Sequence, residues 1–100
     1  MKMVTIICRE RLQDSMVKLL TDVGVKGYTV MSGLGGRGKN GAVSEHNWTD
    51  RNVSFVVAVE DHHVPSVTDA VKQLYARLLE KQSGEQVPIK VFLQPCEVVL

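Results

Sequence analysis

The apolar positions divide the chain into six periodic stretches. Residues 3–8 are apolar and β-branched and stop at the charge of Arg9, which predicts a buried strand. Residues 11–23 place Leu12, Met16, Leu19, Leu20 and Val23 on one helical face, and Gly24 follows as a candidate C-cap. Residues 28–31 form a second short strand, approached through Lys26 and Gly27. In residues 52–59, Val53, Phe55, Val57 and Val59 alternate with Ser54, Val56 and Ala58. Val56 and Ala58 are apolar too, so a central strand covered on both faces is expected. Pro65 can open the next helix, because its missing N–H costs nothing in a first turn. The apolar face of that helix runs through Val67, Ala70 or Val71, Leu74 and Leu78, and Ser83-Gly84 ends it. Residues 88–94 are the last strand, limited by Pro95.

Between the second and third strands, residues 32–51 show no period and are rich in Gly, Ser and Asn. Irregular connections longer than about 12–15 residues are uncommon in compact domains and tend to carry function. The order β-α-β-β-α-β predicts an α+β fold. Its antiparallel sheet would carry both helices on one face, the ferredoxin-like architecture. The first and last strands are then antiparallel neighbours. Cys8 and Cys96 should fall at opposite ends of that pair, too far apart for a disulfide.

The length of 100 residues allows one domain with one modest core. The formal net charge of +1 gives no global pull toward nucleic acid, so any anion preference is local. The first residues lack the apolar core and cleavage site of a signal peptide, and no apolar run reaches the length of a membrane span. A cytoplasmic protein with reduced thiols is the expectation.

The strongest chemical signal is Gly33-Leu34-Gly35-Gly36-Arg37-Gly38-Lys39-Asn40-Gly41. It matches G-x-G-x-x-G through Gly33, Gly35 and Gly38. It also matches a P-loop through Gly33, Gly38 and Lys39, except at Asn40, where Ser or Thr would hold magnesium. Both motifs should open directly into a helix, whereas Gly41-Ala42-Val43-Ser44-Glu45 continues irregularly. What remains is a loop of backbone donors with two cations, suited to an anion such as a phosphate.

His46 lies in the same loop beside Glu45, and His62 and His63 lie at a strand end. These are the candidate metal ligands, although adjacent histidines point in different directions and exposed turn residues explain them as well. Trp48 either packs the loop onto the sheet or anchors a partner. No paired carboxylates and no nucleophile beside a base emerge, so catalysis is not expected.

The chain resembles the PII signalling proteins, in particular their smaller PII-like branch linked to inorganic-carbon transport. Lys26-Gly27-Tyr28-Thr29-Val30 resembles the family's turn into its second strand, and the glycine run follows where the family has the base of its T-loop. Ser83-Gly84 stands at the family's B-loop, and Lys90-Val91-Phe92 resembles the opening of its last strand.

The resemblance implies one PII-like domain over residues 1–100 with a long flexible T-loop at about 32–51. It implies a homotrimer without catalysis that binds an adenine nucleotide (AMP, ADP, ATP or cyclic AMP) in clefts between subunits, in some cases with bicarbonate. Its regulated partner would be a membrane transporter or an enzyme, with recruitment to the membrane through the transporter. Gly27, Tyr28 and Thr29 would flank the adenine. Gly35, Gly36, Arg37, Gly38 and Lys39 would lie near phosphates or a second effector, and Ser83, Gly84 and Lys90 would approach from the facing side.

The chain departs from the pattern in several places. Glu85-Gln86-Val87-Pro88-Ile89 replaces a glycine-rich turn, the arginine-bearing tail is missing, and the loop has no tyrosine to uridylylate. Lys39 stands where other members use a glutamine with magnesium and 2-oxoglutarate. Two other readings are a metal-responsive trimer resembling the CutA divalent-ion proteins and a small enzyme acting on a phosphorylated substrate.

Overall fold

The computed structural model describes residues 1–38, 41–43, 51–81 and 87–100. Strand β1 (Lys2–Arg9) passes through a 3-10 turn, Glu10–Leu12, into helix α1 (Gln13–Asp22). Strands β2 (Thr29–Leu34), β3 (Gly36–Gly38), β4 (Gly41–Val43) and β5 (Asn52–Val59) follow. A second 3-10 turn, Asp61–His63, leads into helix α2 (Val64–Lys81), and β6 (Ile89–Pro95) closes the order.

The main sheet has the order β2-β5-β1-β6, with every neighbouring pair antiparallel. This is the expected ferredoxin-like arrangement. The core lies between the sheet and the two helices. Val4, Ile6 and Cys8 of β1 and Val53, Phe55, Val57 and Val59 of β5 meet Met16 and Leu20 of α1 and Val67, Val71 and Leu74 of α2. Helical spacing and strand alternation converge on that one layer.

Helix α1 ends in a Schellman motif. Gly24 takes φ +87, Gly24 N–H donates to Thr21 O at 3.0 Å, and Val25 N–H donates to Leu20 O at 2.9 Å. Val25 then packs on the core, as this motif's accompanying apolar contact requires. Val87 and Ile89 are both buried in that core, and Ile89 N–H donates to Val87 O at 2.9 Å across Pro88. Apolar anchoring therefore fixes the approach to β6 where the sequence lacks a glycine-rich turn.

Three expectations change. Strand β2 extends past residue 31 to Leu34, through a register shift between Met31 and Leu34 where Gly33 adopts φ +69. Within residues 32–51, β3 and β4 pair as a short hairpin, with Arg37 opposite Ala42. Three-residue strands containing glycine carry no alternation to read. The central strand β5 is covered on one face only: Val56 is half-buried and Ala58 exposed, because both helices pack against the other side. The register sets Thr29, Val56, Thr5 and Phe92 in one row of the uncovered face, and Met31, Ser54, Ile7 and Lys90 in the next.

Candidate functional site

Strand direction decides where the candidate residues gather. Strands β1 and β2 end, and β5 and β6 begin, at the same end of the sheet. That end carries Gly33 and the start of the glycine segment, Arg9, Glu10 and Arg51, and the opening of β6 with Lys90. Gly27, Tyr28 and Thr29 stand elsewhere, at the beginning of β2. Thr29 pairs with Val56 and Leu34 with Asn52, four rows apart. At about 3.3 Å per residue this is about 13 Å along the strand.

Gly27 to Thr29 and Lys90 also occupy different edges. Strands β2 and β6 are the two outer strands, three spacings or about 14 Å apart. One chain brings the glycine segment and Lys90 to one end of the sheet but does not join the two edges. Thr29 and Lys90 do share the uncovered face, since their rows contain Val56, Thr5 and Ser54, Ile7 respectively.

Tyr28 is anchored from below. Its ring lies 5.7 Å from that of Phe55, at a tilt of 57°, while its outer side is exposed. A tilted aromatic contact of this kind holds the ring with one surface free. A Cβ added at Gly27 or at Gly36 would meet no atom within 4 Å, so both backbones border open space.

The base of the glycine segment is held by Glu10, which sequence reasoning passed over. Gly33 N–H donates to Glu10 Oε1 at 2.8 Å, and Glu10 N–H donates to Arg51 O at 2.8 Å. One residue thus grips the segment where it leaves β2 and where the chain returns to β5. Its only trace in the sequence is an acidic residue directly after a strand. Arg9, Arg11 and Arg51 at this end each have interactions of their own.

Among the candidate metal ligands, His63 is committed to structure. Its Nε2 lies 2.8 Å from the Val23 carbonyl at the end of α1, and since a carbonyl only accepts, the ring nitrogen donates. The ring planes of His62 and His63 lie 19° apart with centroids 6.4 Å apart. Both sit in the 3-10 turn, Asp61–His63, that leads into α2. Among the described residues no three His, Cys, Asp or Glu side chains gather as a metal site. Lys39, Glu45, His46, Trp48, Ser83 and Gly84 lie outside the described residues. Cys8 is buried, and burial pushes its thiol up to about 11. Cys8 pairs with Ile89 while Cys96 N–H donates to Met1 O at the other end of the strand pair, so the two cysteines are free and far apart. No described helix is long and apolar enough to cross a membrane.

The fold and these residues define a small α+β protein that gathers a glycine segment and a lysine at one end of its sheet. The family described as Nitrogen regulatory protein P-II matches residues 1–99, and the chain belongs to that family. Its structure is similar to CPII, a nitrogen regulatory PII-like protein from Thiomonas intermedia K12, in the form bound to ADP, AMP and bicarbonate. There the TM-score is 0.74 at 24% identity, over 93% of this chain and 82% of that one. The apo form of CPII gives 0.64 at 24% identity, over 93% and 85%. A PII-like signalling protein from Thermus thermophilus gives 0.59 at 19% identity, over 93% and 83%. Identities this low speak for a shared fold. No curated protein matches the sequence.

Proposed function

We propose that this P-II family chain is a non-catalytic regulator whose ligand is an adenine nucleotide (AMP, ADP, ATP or cyclic AMP), with bicarbonate as a candidate second effector. The ligand binds in a cleft between copies of a homotrimer and changes the conformation of the loop at about 32–51. That loop, the family's T-loop, controls a membrane transporter or an enzyme from the cytoplasmic side.

The observation that carries this reading is the separation of the candidate ligand residues. Gly27, Tyr28 and Thr29 stand on one edge of the sheet and Lys90 on the other. A nucleotide touching both sets needs two copies to place their opposite edges together. The uncovered apolar sheet face, with Met31 and Phe92 about half exposed, gives the copies a reason to associate. Tyr28 and Thr29 offer the adenine an aromatic and a hydroxyl surface. The glycine segment with Arg37 and Lys39 offers the phosphates donors and charge, and Ser83, Gly84 and Lys90 complete the cleft from the neighbour.

Thermal denaturation with AMP, ADP, ATP and cyclic AMP, each with and without bicarbonate, tests the proposal. A ligand that binds only the folded state raises the melting temperature. Arg37→Ala and Lys90→Ala each remove a charge-assisted hydrogen bond of about 1.5–3 kcal/mol. Affinity should fall by roughly 10- to 150-fold. A melting temperature indifferent to all four nucleotides overturns the reading.

A further inference from the structure

The glycine segment begins on a donor that is already occupied. Gly33 sits in the bulge of β2 with φ +69, a backbone shape that turns its N–H out of the strand ladder. The N–H points at a carboxylate, Glu10 Oε1, at 2.8 Å. A carboxylate on a backbone N–H is the same chemistry as a phosphate or bicarbonate oxygen on a backbone N–H. The structure of the single chain therefore already holds an anion at the foot of its anion loop, supplied by its own side chain.

The geometry points to Glu10 as a built-in competitor that sets the anion selectivity of the glycine segment. Its carboxylate holds the Gly33 N–H until a ligand anion displaces it. The residue is suited to this because its two bonds separate cleanly. The grip on the loop's return comes from the Glu10 backbone N–H to Arg51 O and does not need the side chain. The grip on Gly33 comes from the side chain alone. Displacing the carboxylate frees Gly33 while the chain stays anchored at Arg51. An anion that makes no other contact cannot repay the lost charge-assisted bond, whereas a nucleotide phosphate with further contacts to the segment can. The role rests on the nucleotide reading above.

Glu10→Gln tests it, since glutamine keeps an acceptor oxygen but loses the charge, and a neutral hydrogen bond is roughly half as strong. Titration calorimetry with ADP should show the variant binding about tenfold more tightly than the parent. The gain should persist from 0.15 M to 0.5 M salt, where long-range attraction is screened. In the parent, saturating ADP should move the Gly33 amide resonance. Equal or weaker affinity in the variant, a gain that vanishes at high salt, or a Gly33 amide unmoved by saturating ADP overturns the inference. If the parent binds none of AMP, ADP, ATP and cyclic AMP, the nucleotide reading fails separately. Orthophosphate then serves as the probe: a Gly33 shift larger in Glu10→Gln than in the parent supports the competitor role, and an equal or absent shift overturns it.

Discussion

Phe92 offers the sharpest test of how copies of this chain meet. It projects from the uncovered face of edge strand β6, beside Thr5, and is 53% exposed in the single chain. Burying a Phe side chain fully contributes about 1.5–3 kcal/mol, so covering the exposed half of Phe92 contributes about 0.8–1.6 kcal/mol per copy. Phe92→Asp forfeits that and places a carboxylate on a face whose row otherwise holds Thr5, Val56 and Thr29. Desolvating an unpaired carboxylate costs several kcal/mol. The combined loss weakens each contact by a factor on the order of a thousand. Light scattering after size exclusion should report three chains per particle for the parent and one for Phe92→Asp, at micromolar protein. The fold within the chain should survive, since position 92 belongs to no core cluster. A parent that runs as a single chain, or a variant that keeps the parent's mass, refutes the argument that this face is where copies associate.

Gly24→Ala should destabilise the fold by about 1–2 kcal/mol in urea unfolding, because alanine is strained at φ +87. The added Cβ would stand 4.0 Å from His63 Cε1, an ordinary contact, so a much larger loss would contradict the backbone explanation. Cys96 should react with dithio-bis-nitrobenzoate in the native protein while Cys8 reacts only on unfolding, since burial holds the Cys8 thiol protonated up to about 11. Equal rates for the two thiols in the native state would contradict the packing of β1. The N-terminal ammonium of Met1, 2.9 Å from Asp61, holds that carboxyl below its ordinary value, chiefly through the hydrogen bond between them. A lowered carboxyl pKa stabilises the folded state above the unfolded-state value, and the contribution is lost as pH falls through the folded one. Acid titration of stability should therefore be shallower in Asp61→Asn than in the parent, and an identical slope would show the pair to be without effect.

The helices and the long strands were legible because burial wrote a period into them. Leu12, Met16 and Leu20 recur at fourfold spacing and all three are buried. Gly24 marked the end of α1 because a left-handed residue was needed there. What failed to show was structure made without side-chain burial. The β2 extension passes through a glycine bulge, and β3 and β4 are three residues each, so neither leaves an apolar alternation. The covering of β5 was misread for a related reason. Val56 and Ala58 announce an apolar face, but a sequence does not say whether this chain or another copy covers it.

The proposed site rests on chemistry that the sequence shows and on geometry that it does not. Glycines and cations at 33–39 are the ground for proposing an anion loop, yet their neighbours depend on strand order. Lys90 is more than fifty residues from Gly33 and reaches the same end of the sheet only because β6 runs antiparallel to β1. Glu10 was harder still. Its role comes from one carboxylate and one N–H reaching chain segments 23 and 41 residues away, through contacts with main-chain atoms that any residue type would offer. The sequence records the Glu10 carboxylate but not the N–H it meets. A donor such as Gly33 N–H is therefore read as available to a ligand until the fold shows which group already holds it. Every non-proline residue of a loop brings one N–H, glycine lets the backbone turn it toward a ligand, and only the donors that the protein leaves unoccupied are open to an anion.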